Sequence, residues 1–283
     1  MESNANAESQ IDTEKMTSEW FDLVEMYSNC GLTKEQDKLI AISGMAQRIQ
    51  RLTGQTYCAG IWADTIAKGL LWLKVEDSLL RPKRPRAPSW SWAAYDGPIP
   101  YLQEISSDCE MTCSFRSLRV NKLASEDTSF LQGLGRLEVS VPIVNLRNPH
   151  TSRVPVRTGR WAYQGYSLPA IKLRYHVSNL PMAWNEEESP YGYIAKDECE
   201  GVSGVDEKEL FFMSVGHIRN RNRTNTTHYG VFLNKVEEQR SFRRIGFGEV
   251  MERQVPTSAR FSTSVSRSVQ ATKFEWEKET IVL

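Results

Sequence analysis

The residues best suited to metal or acid–base chemistry are four scattered histidines: His150, His176, His217 and His228. Metal-binding histidines recur at short fixed spacings, such as HExxH on a helix, and no such spacing occurs here. His176 falls on the solvent side of an alternating pattern, while His217 and His228 flank an arginine-rich loop. We therefore expect surface roles for these histidines and no metal site.

The cysteines give no stronger indication of a metal site or of disulfide bonds. Cys109 and Cys113 have a CxxxC spacing without a second pair, which argues against a zinc site, and the odd total of five cysteines argues against a disulfide framework. No GxSxG or P-loop motif is present. Gly246 and Gly248 follow two arginines, a pattern more typical of a strand bulge with exposed arginines than of an anion site. The sequence predicts no catalytic residue, cofactor or metal.

Charge and hydropathy argue against several classes of protein. Basic and acidic residues balance at 35 each, which gives no electrostatic reason to expect nucleic acid as a partner. No apolar run approaches the roughly 20 residues of a membrane span, and the first 15 residues lack a signal-peptide pattern. We expect a cytoplasmic protein with reduced thiols and no membrane contact.

Helical patterns dominate the first part of the chain. After a leader over 1–16, which we expect to be disordered, the region 17–80 reads as two to three helices. A capping box at 33–36 precedes a stripe formed by Leu39, Ile42, Ala46 and Ile49, within which Gly44 favours a close helix crossing. A third helix is predicted over 57–63. The first helix presents a stripe that we predict to be incompletely buried and to face a partner: Trp20, Leu23, Val24 and Tyr27.

A proline-rich basic segment at 81–88 reads as a solvated linker, after which hydrophobic residues alternate with period two. Strand patterns occur at 111–115, 137–143, 171–177, 210–215, 229–236, 242–250 and 276–283, with long polar loops at 147–168, 184–207 and 252–272. Pro142 indicates an edge or a bulge. Helices followed by antiparallel strands predict an α+β fold, in which a β-rich domain over 89–283 packs on the helices.

The string at 88–98 is the most distinctive motif. It places Trp90 and Trp92 two residues apart, with Ser91 between them, and ends at Asp96 and Gly97, a turn signal. We expect an extended Trp-x-Trp strand here, in which both indoles lie on one face, and their size predicts a core position rather than an interface.

This string belongs to a wider resemblance. The segments 20–28, 32–33, 37–39, 41–46, 57–62, 69–72, 88–93 and 96–97 resemble, in order and spacing, the region downstream of the HET domain in fungal heterokaryon-incompatibility proteins. Segments 229–233 and 242–246 resemble the C-terminal strands of that family. The signature residues of the resemblance are Trp62, Trp72, Trp90, Ser91, Trp92, Asp96 and Gly97.

The resemblance implies a non-enzymatic recognition or regulatory region that acts in self/non-self recognition and controls a cell-death effector. Its partner would be a HET-type effector domain or a regulator. The HET domain itself, with its own motifs, is absent from this sequence, so no effector activity carries over. Two alternatives stay open: an enzyme with an unrecognised site between the helical and β parts, or a truncated remnant without autonomous function.

Overall fold

The protein has an α+β fold, as the sequence predicts. The computed structural model describes residues 13–73, 82–101, 109–119, 136–152, 162–163, 166–167, 171–176, 191–197, 209–219, 225–236, 241–253 and 276–283. Three helices lie in the first part of the chain, and a mainly antiparallel sheet follows. Among the described residues, no helix is both long enough and apolar enough to cross a membrane.

Helix α1 (Thr13–Ser28) begins inside the stretch predicted to be a disordered leader; residues 1–12 lie outside the described part. Helix α2 (Lys38–Thr53) follows a 3-10 turn at Glu35–Asp37 and buries the predicted stripe of Leu39, Ile42, Ala46 and Ile49. The capping box is not observed, because neither the turn nor α2 has a side-chain cap at its start. Gly44 faces open space, so the close helix crossing predicted there is also wrong.

The predicted helix over 57–63 is instead a β-hairpin. Strands β1 (Tyr57–Cys58) and β2 (Ile61–Trp62) pair across a two-residue turn. Both turn residues have a positive φ, 41° at Ala59 and 100° at Gly60, which is the conformation that tight hairpins require. A 3-10 turn (Ala63–Thr65) and the short helix α3 (Ile66–Gly69) complete this part, which ends at the predicted Gly69.

The remaining strands are β3 (Glu110–Met111), β4 (Ser114–Arg119), β5 (Arg136–Ser152), β6 (Ala162–Tyr163), β7 (Tyr166–Ser167), β8 (Ile171–His176), β9 (Tyr191–Lys196), β10 (Glu209–Arg219), β11 (Asn225–Lys235), β12 (Phe242–Arg253) and β13 (Glu277–Val282). Parts of all three predicted polar loops are therefore strand: β5 runs on to Ser152, β9 begins at Tyr191, and β12 continues to Arg253.

Six of these strands close into a ring. Their antiparallel pairings run β5–β8–β9–β12–β11–β10, and β10 pairs back onto β5 through the register Phe212↔Val144. Pro142 lies between the part of β5 that pairs with β4 and the part that pairs with β10, a position where a missing N–H is tolerated.

The two faces of this sheet bury different clusters. One face packs with the helices and the tryptophans in the main hydrophobic core. The other face lines the inside of the ring, where side chains from five of its strands meet: Val144, Leu146, Ile194, Leu210, Phe212, Phe232 and Val250. A closed sheet of so few strands has an interior that side chains fill.

Candidate functional site

The signature tryptophans are buried, and one of them, Trp92, contacts the turn of the β1–β2 hairpin. Trp62, Trp72, Trp90 and Trp92 are all fully buried. The Gly60 carbonyl accepts hydrogen bonds from the indole N–H groups of Trp92 and Trp20, at 2.9 and 3.0 Å. A Cβ at Gly60 would lie 2.4 Å from Trp92 Nε1, so this position is restricted to glycine by space as well as by φ.

Ser91 holds the tryptophan string in place. Its hydroxyl donates to the Ala59 carbonyl at 2.6 Å and accepts from the Ala93 amide, capping a 3-10 turn over Trp92–Ala94. The expected Trp-x-Trp strand is therefore wrong, because the chain turns at Trp92. The expected burial of both indoles is nevertheless observed, since the turn directs them into the same core.

A cluster of charged side chains borders the tryptophans. Arg86 donates to the carbonyls of Glu35, Ala93 and Tyr95 and pairs with the carboxylate of Asp96. Because Arg86 is buried, the solvated linker predicted at 81–88 is incorrect at this residue. Gly97 follows Asp96 with a φ of 108°, which agrees with the turn signal.

Lys38 completes this cluster from helix α2. Its ammonium donates to the Tyr95 carbonyl at 2.6 Å, lies 3.9 Å from Asp96 and sits over the Trp92 ring. Burial, followed by the charge of Arg86, lowers the pKa of Lys38 to about 8 against the opposing effect of Asp96.

A second arginine joins the helical part to the sheet. Arg244, on β12, is fully buried and donates to the carbonyls of Leu70 and Trp72 at 2.6 and 2.7 Å. The same guanidinium makes two bonds to Asp197 and lies 3.4 Å from the centre of the Trp72 ring. The prediction of exposed arginines before Gly246 is therefore wrong for Arg244.

The stripe on α1 is only partly available to a partner. Trp20 and Val24 are fully buried in this chain's own core, where Trp20 packs edge-on against Tyr57 and Trp62, so neither faces outward. Leu23 and Tyr27 are half-buried, and the Tyr27 hydroxyl donates to the Lys38 carbonyl. The prediction of incomplete burial holds for these two residues alone.

Inside the ring lies a row of three hydrogen-bonded polar side chains, the polar string, which was not predicted from the sequence. Ser214 Oγ lies 3.0 Å from His228 Nδ1, and His228 Nε2 lies 3.3 Å from Glu252 Oε2. All three residues are buried, against our expectation of a surface role for His228. Since an ionised carboxylate only accepts, a neutral His228 would donate from Nε2 to Glu252 and accept at Nδ1 from the Ser214 hydroxyl.

The alternation of inward-facing and outward-facing residues along each strand could have revealed this polar string. Ser214 lies two residues after Phe212, His228 lies four before Phe232, and Glu252 lies two after Val250, so each polar residue shares the inward phase of its strand. Proximity across strands depended on the register, which the sequence did not show.

His217 and Glu110 extend the string toward the surface. The His217 ring lies 5.4 Å from that of His228, and its Nε2 lies 3.3 Å from a carboxylate oxygen of the exposed Glu110. Burial, and then the neighbouring His228, lower the pKa of His217. Within the described residues, no group of three or more histidines, cysteines or acids is arranged to hold a metal ion, and Cys30, Cys58, Cys109 and Cys113 are free thiols.

Comparisons of the chain with protein-family models, with curated proteins and with solved structures find no match.

Proposed function

We propose that this chain is a non-enzymatic recognition and regulatory region of a HET-type incompatibility protein. It would act in the cytoplasm by binding a HET-type effector domain or a regulator. The proposal takes its family from the sequence resemblance and its mode of action from the surface of the helical part.

The observation that carries the proposal is the contrast between the buried side chains and the exposed side chains of the helical part. The signature tryptophans are turned inward, which supports the role of a scaffold for them. The outer surface nevertheless carries large apolar side chains, because Met26 is 69% exposed on α1, and Met45 and Leu52 are 50% and 47% exposed on α2. Exposed apolar side chains on helices are suited to contact with another protein.

The test is a pull-down of the purified chain against separately expressed HET domains from the same cell, with melting curves of each protein alone and mixed. We expect one HET domain to bind and to raise the melting temperature, since a ligand specific for the folded state stabilises it. A Met45→Lys/Leu52→Lys variant should fold normally and lose binding, whereas Lys34→Ala, at an exposed residue before α2, should bind as the unchanged chain does.

Failure of every HET domain to bind would contradict the proposal. The same melts test the remnant alternative, because a remnant without autonomous structure would show no cooperative transition of its own.

A second candidate function is group transfer through a serine nucleophile, which would take the group from the substrate and pass it to an acceptor. The Ser214–His228–Glu252 string supports it, since a hydroxyl, a base and an orienting acid lie in hydrogen-bond order. It lies inside the ring rather than between the helical and β parts. It ranks second because Ser214 is only 1% exposed, so a substrate has little access to its hydroxyl.

This candidate is tested by incubation of the purified chain with a fluorophosphonate, followed by intact mass measurement. A catalytic serine would take up one phosphonyl group and release fluoride, and Ser214→Ala would abolish the added mass. An unmodified chain would remove this candidate and leave the string as a structural network.

A further inference from the structure

The short strand β3 is attached to the ring at one edge of β10. Among the described residues, its backbone pairing with β10 spans two positions, Gly216 and His217. Just beyond β3, two successive amides donate to the Val215 carbonyl, and the Thr112 hydroxyl donates to the Ser214 carbonyl. Because this attachment consists of few hydrogen bonds, β3 can separate from β10 while the longer pairings inside the ring persist.

Four titratable side chains form a series of contacts from β3 into the ring. His217 Nε2 lies 3.3 Å from a carboxylate oxygen of Glu110 on β3, and the His217 ring lies 5.4 Å from the ring of His228 on β11. His228 Nε2 lies 3.3 Å from Glu252 Oε2 on β12. Two neighbouring imidazoles are therefore flanked by two carboxylates, and Arg219, on β10 itself, adds a positive charge near His217.

The two imidazoles are better suited to hold one positive charge than two. Glu252 and Ser214 Oγ can accept from the two ring nitrogens of His228, and the Trp276 ring, 4.4 Å from that of His228, adds no charge. His217 Nδ1, by contrast, is buried and has no hydrogen-bond partner among the described residues. A protonated His217 would therefore bury an N–H without an acceptor, beside a second imidazole. Burial, followed by the neighbouring His228, lowers the pKa of His217 against the opposing effect of the carboxylates.

We propose that His217 and β3 form an acid-sensitive latch, in which β3 stays paired with β10 while His217 is neutral and is released from that edge when His217 is protonated. In the released state β3 no longer shields the His217 ring from water, so the ring can carry its charge. The ion pair with Glu110 opposes release only weakly, because the Glu110 side chain is 70% exposed.

Release of β3 uncovers the edge of β10 at Gly216. The sulfur atoms of Cys109 and Met111 lie against this glycine, since a Cβ added there would be 2.9 Å from Cys109 Sγ and 3.0 Å from Met111 Sδ. The latch therefore controls both a strand edge and a thiol. It belongs to the chain alone and does not depend on the binding of a HET domain.

Hydrogen exchange of the purified chain tests the latch. Exchange of the amides over 110–113 is followed by mass spectrometry between pH 7.5 and 5 and is corrected for the intrinsic dependence of amide exchange on pH. Because release takes up one proton, the corrected exchange rate should rise by up to about tenfold for each pH unit below about 6.5. Amides over 229–233, in the middle of β11, should keep their protection, since β11 is paired on both sides.

Variants show whether His217 is the group that responds to pH. His217→Gln keeps a neutral polar side chain, so β3 should stay protected down to pH 5. His228→Gln removes the neighbouring imidazole and should weaken the pH dependence, and it carries the comparison if circular dichroism shows that His217→Gln is unfolded. Glu35→Gln, at an exposed acid of the helical part, is the control and should behave as the unchanged chain does.

Three results would overturn the inference. The first is protection over 110–113 that does not change between pH 7.5 and 5. The second is an equal pH dependence in the unchanged chain and in the folded histidine variant. The third is a simultaneous loss of protection over 229–233, which would mean that the sheet unfolds as a whole rather than that β3 is released.

Discussion

Arg244 offers a direct test of how the helical part is held on the sheet. Replacing it with Met keeps most of the side-chain volume but removes every polar contact of the guanidinium. Asp197 then loses both bonds from Arg244, and the carbonyls of Leu70 and Trp72 lose their bonds from this side chain.

The expected loss in the free energy of unfolding follows from the burial of Arg244 and Asp197. Arg244 and Asp197 have side-chain exposures of 0% and 1%, so water cannot replace the lost partner. Breaking a buried pair of this kind costs about 3–5 kcal/mol. We expect Arg244→Met to lower the free energy of unfolding by about this amount, and Arg244→Lys to lower it too, because one ammonium cannot reproduce the planar, two-sided contact.

Urea unfolding provides the assay, followed by tryptophan fluorescence and by far-ultraviolet circular dichroism. In Arg244→Met both transitions should move together to lower urea, since Arg244 contacts Trp72 in the helical part and lies on a strand of the sheet. Arg243→Met is the matched control at the neighbouring, half-buried position and should cost less than about 1 kcal/mol. A loss below about 1 kcal/mol for Arg244→Met would refute the view that this residue joins the two parts.

Three further predictions concern pH and packing. The pKa of Lys38 falls from 10.5 to about 8 on folding, so the unfolded state binds more protons between these two pH values. The free energy of unfolding should therefore rise with pH across this window by about 3 kcal/mol relative to that of Lys38→Met. Urea unfolding of both chains at several pH values measures this difference. Folding lowers the pKa of His217 below 6.5, so the contribution of the neutral His217 to stability should be lost as pH falls below 6.5. The melting temperature of His217→Gln should therefore depend less on pH in this range than that of the unchanged chain. An equal pH dependence of the two chains would contradict this prediction. Gly230→Ala should destabilise the chain by about 1–3 kcal/mol or more in urea unfolding, because a Cβ would lie 1.9 Å from the Met213 carbonyl oxygen, whereas Gly44→Ala, in open space on a helix, should be neutral or stabilising.

The parts of the fold that were predictable follow from periodicity. The α2 stripe is buried because its residues recur at helical spacing, and Leu137, Val139, Val141 and Ile143 are buried because they alternate along β5. Such patterns report which face of an element is apolar, and this was enough for the α+β class.

Local backbone geometry was less predictable. The hairpin at Tyr57–Trp62 turns through Ala59 and Gly60, and alanine is an uncommon residue at a positive φ, so no turn signal distinguished it from a helix. The turn at Trp92 depends on a hydrogen bond from Ser91 to Ala59, 32 residues away, which the local pattern does not contain.

The polar sites were missed for a related reason. An arginine in a basic or glycine-flanked segment is ordinarily exposed, and only the positions of Asp96 and Asp197 in the folded chain allow Arg86 and Arg244 to be buried. The Ser214–His228–Glu252 string likewise depends on the register of three adjacent strands.

The central claim, that the chain works by binding a HET-type partner rather than by chemistry of its own, is tested most directly by calorimetric titration of the purified chain with a HET domain from the same cell. We predict saturable binding that the Met45→Lys/Leu52→Lys variant loses and the Ser214→Ala variant keeps. No binding to any HET domain, or binding that depends on Ser214 and not on the helical surface, would contradict the account.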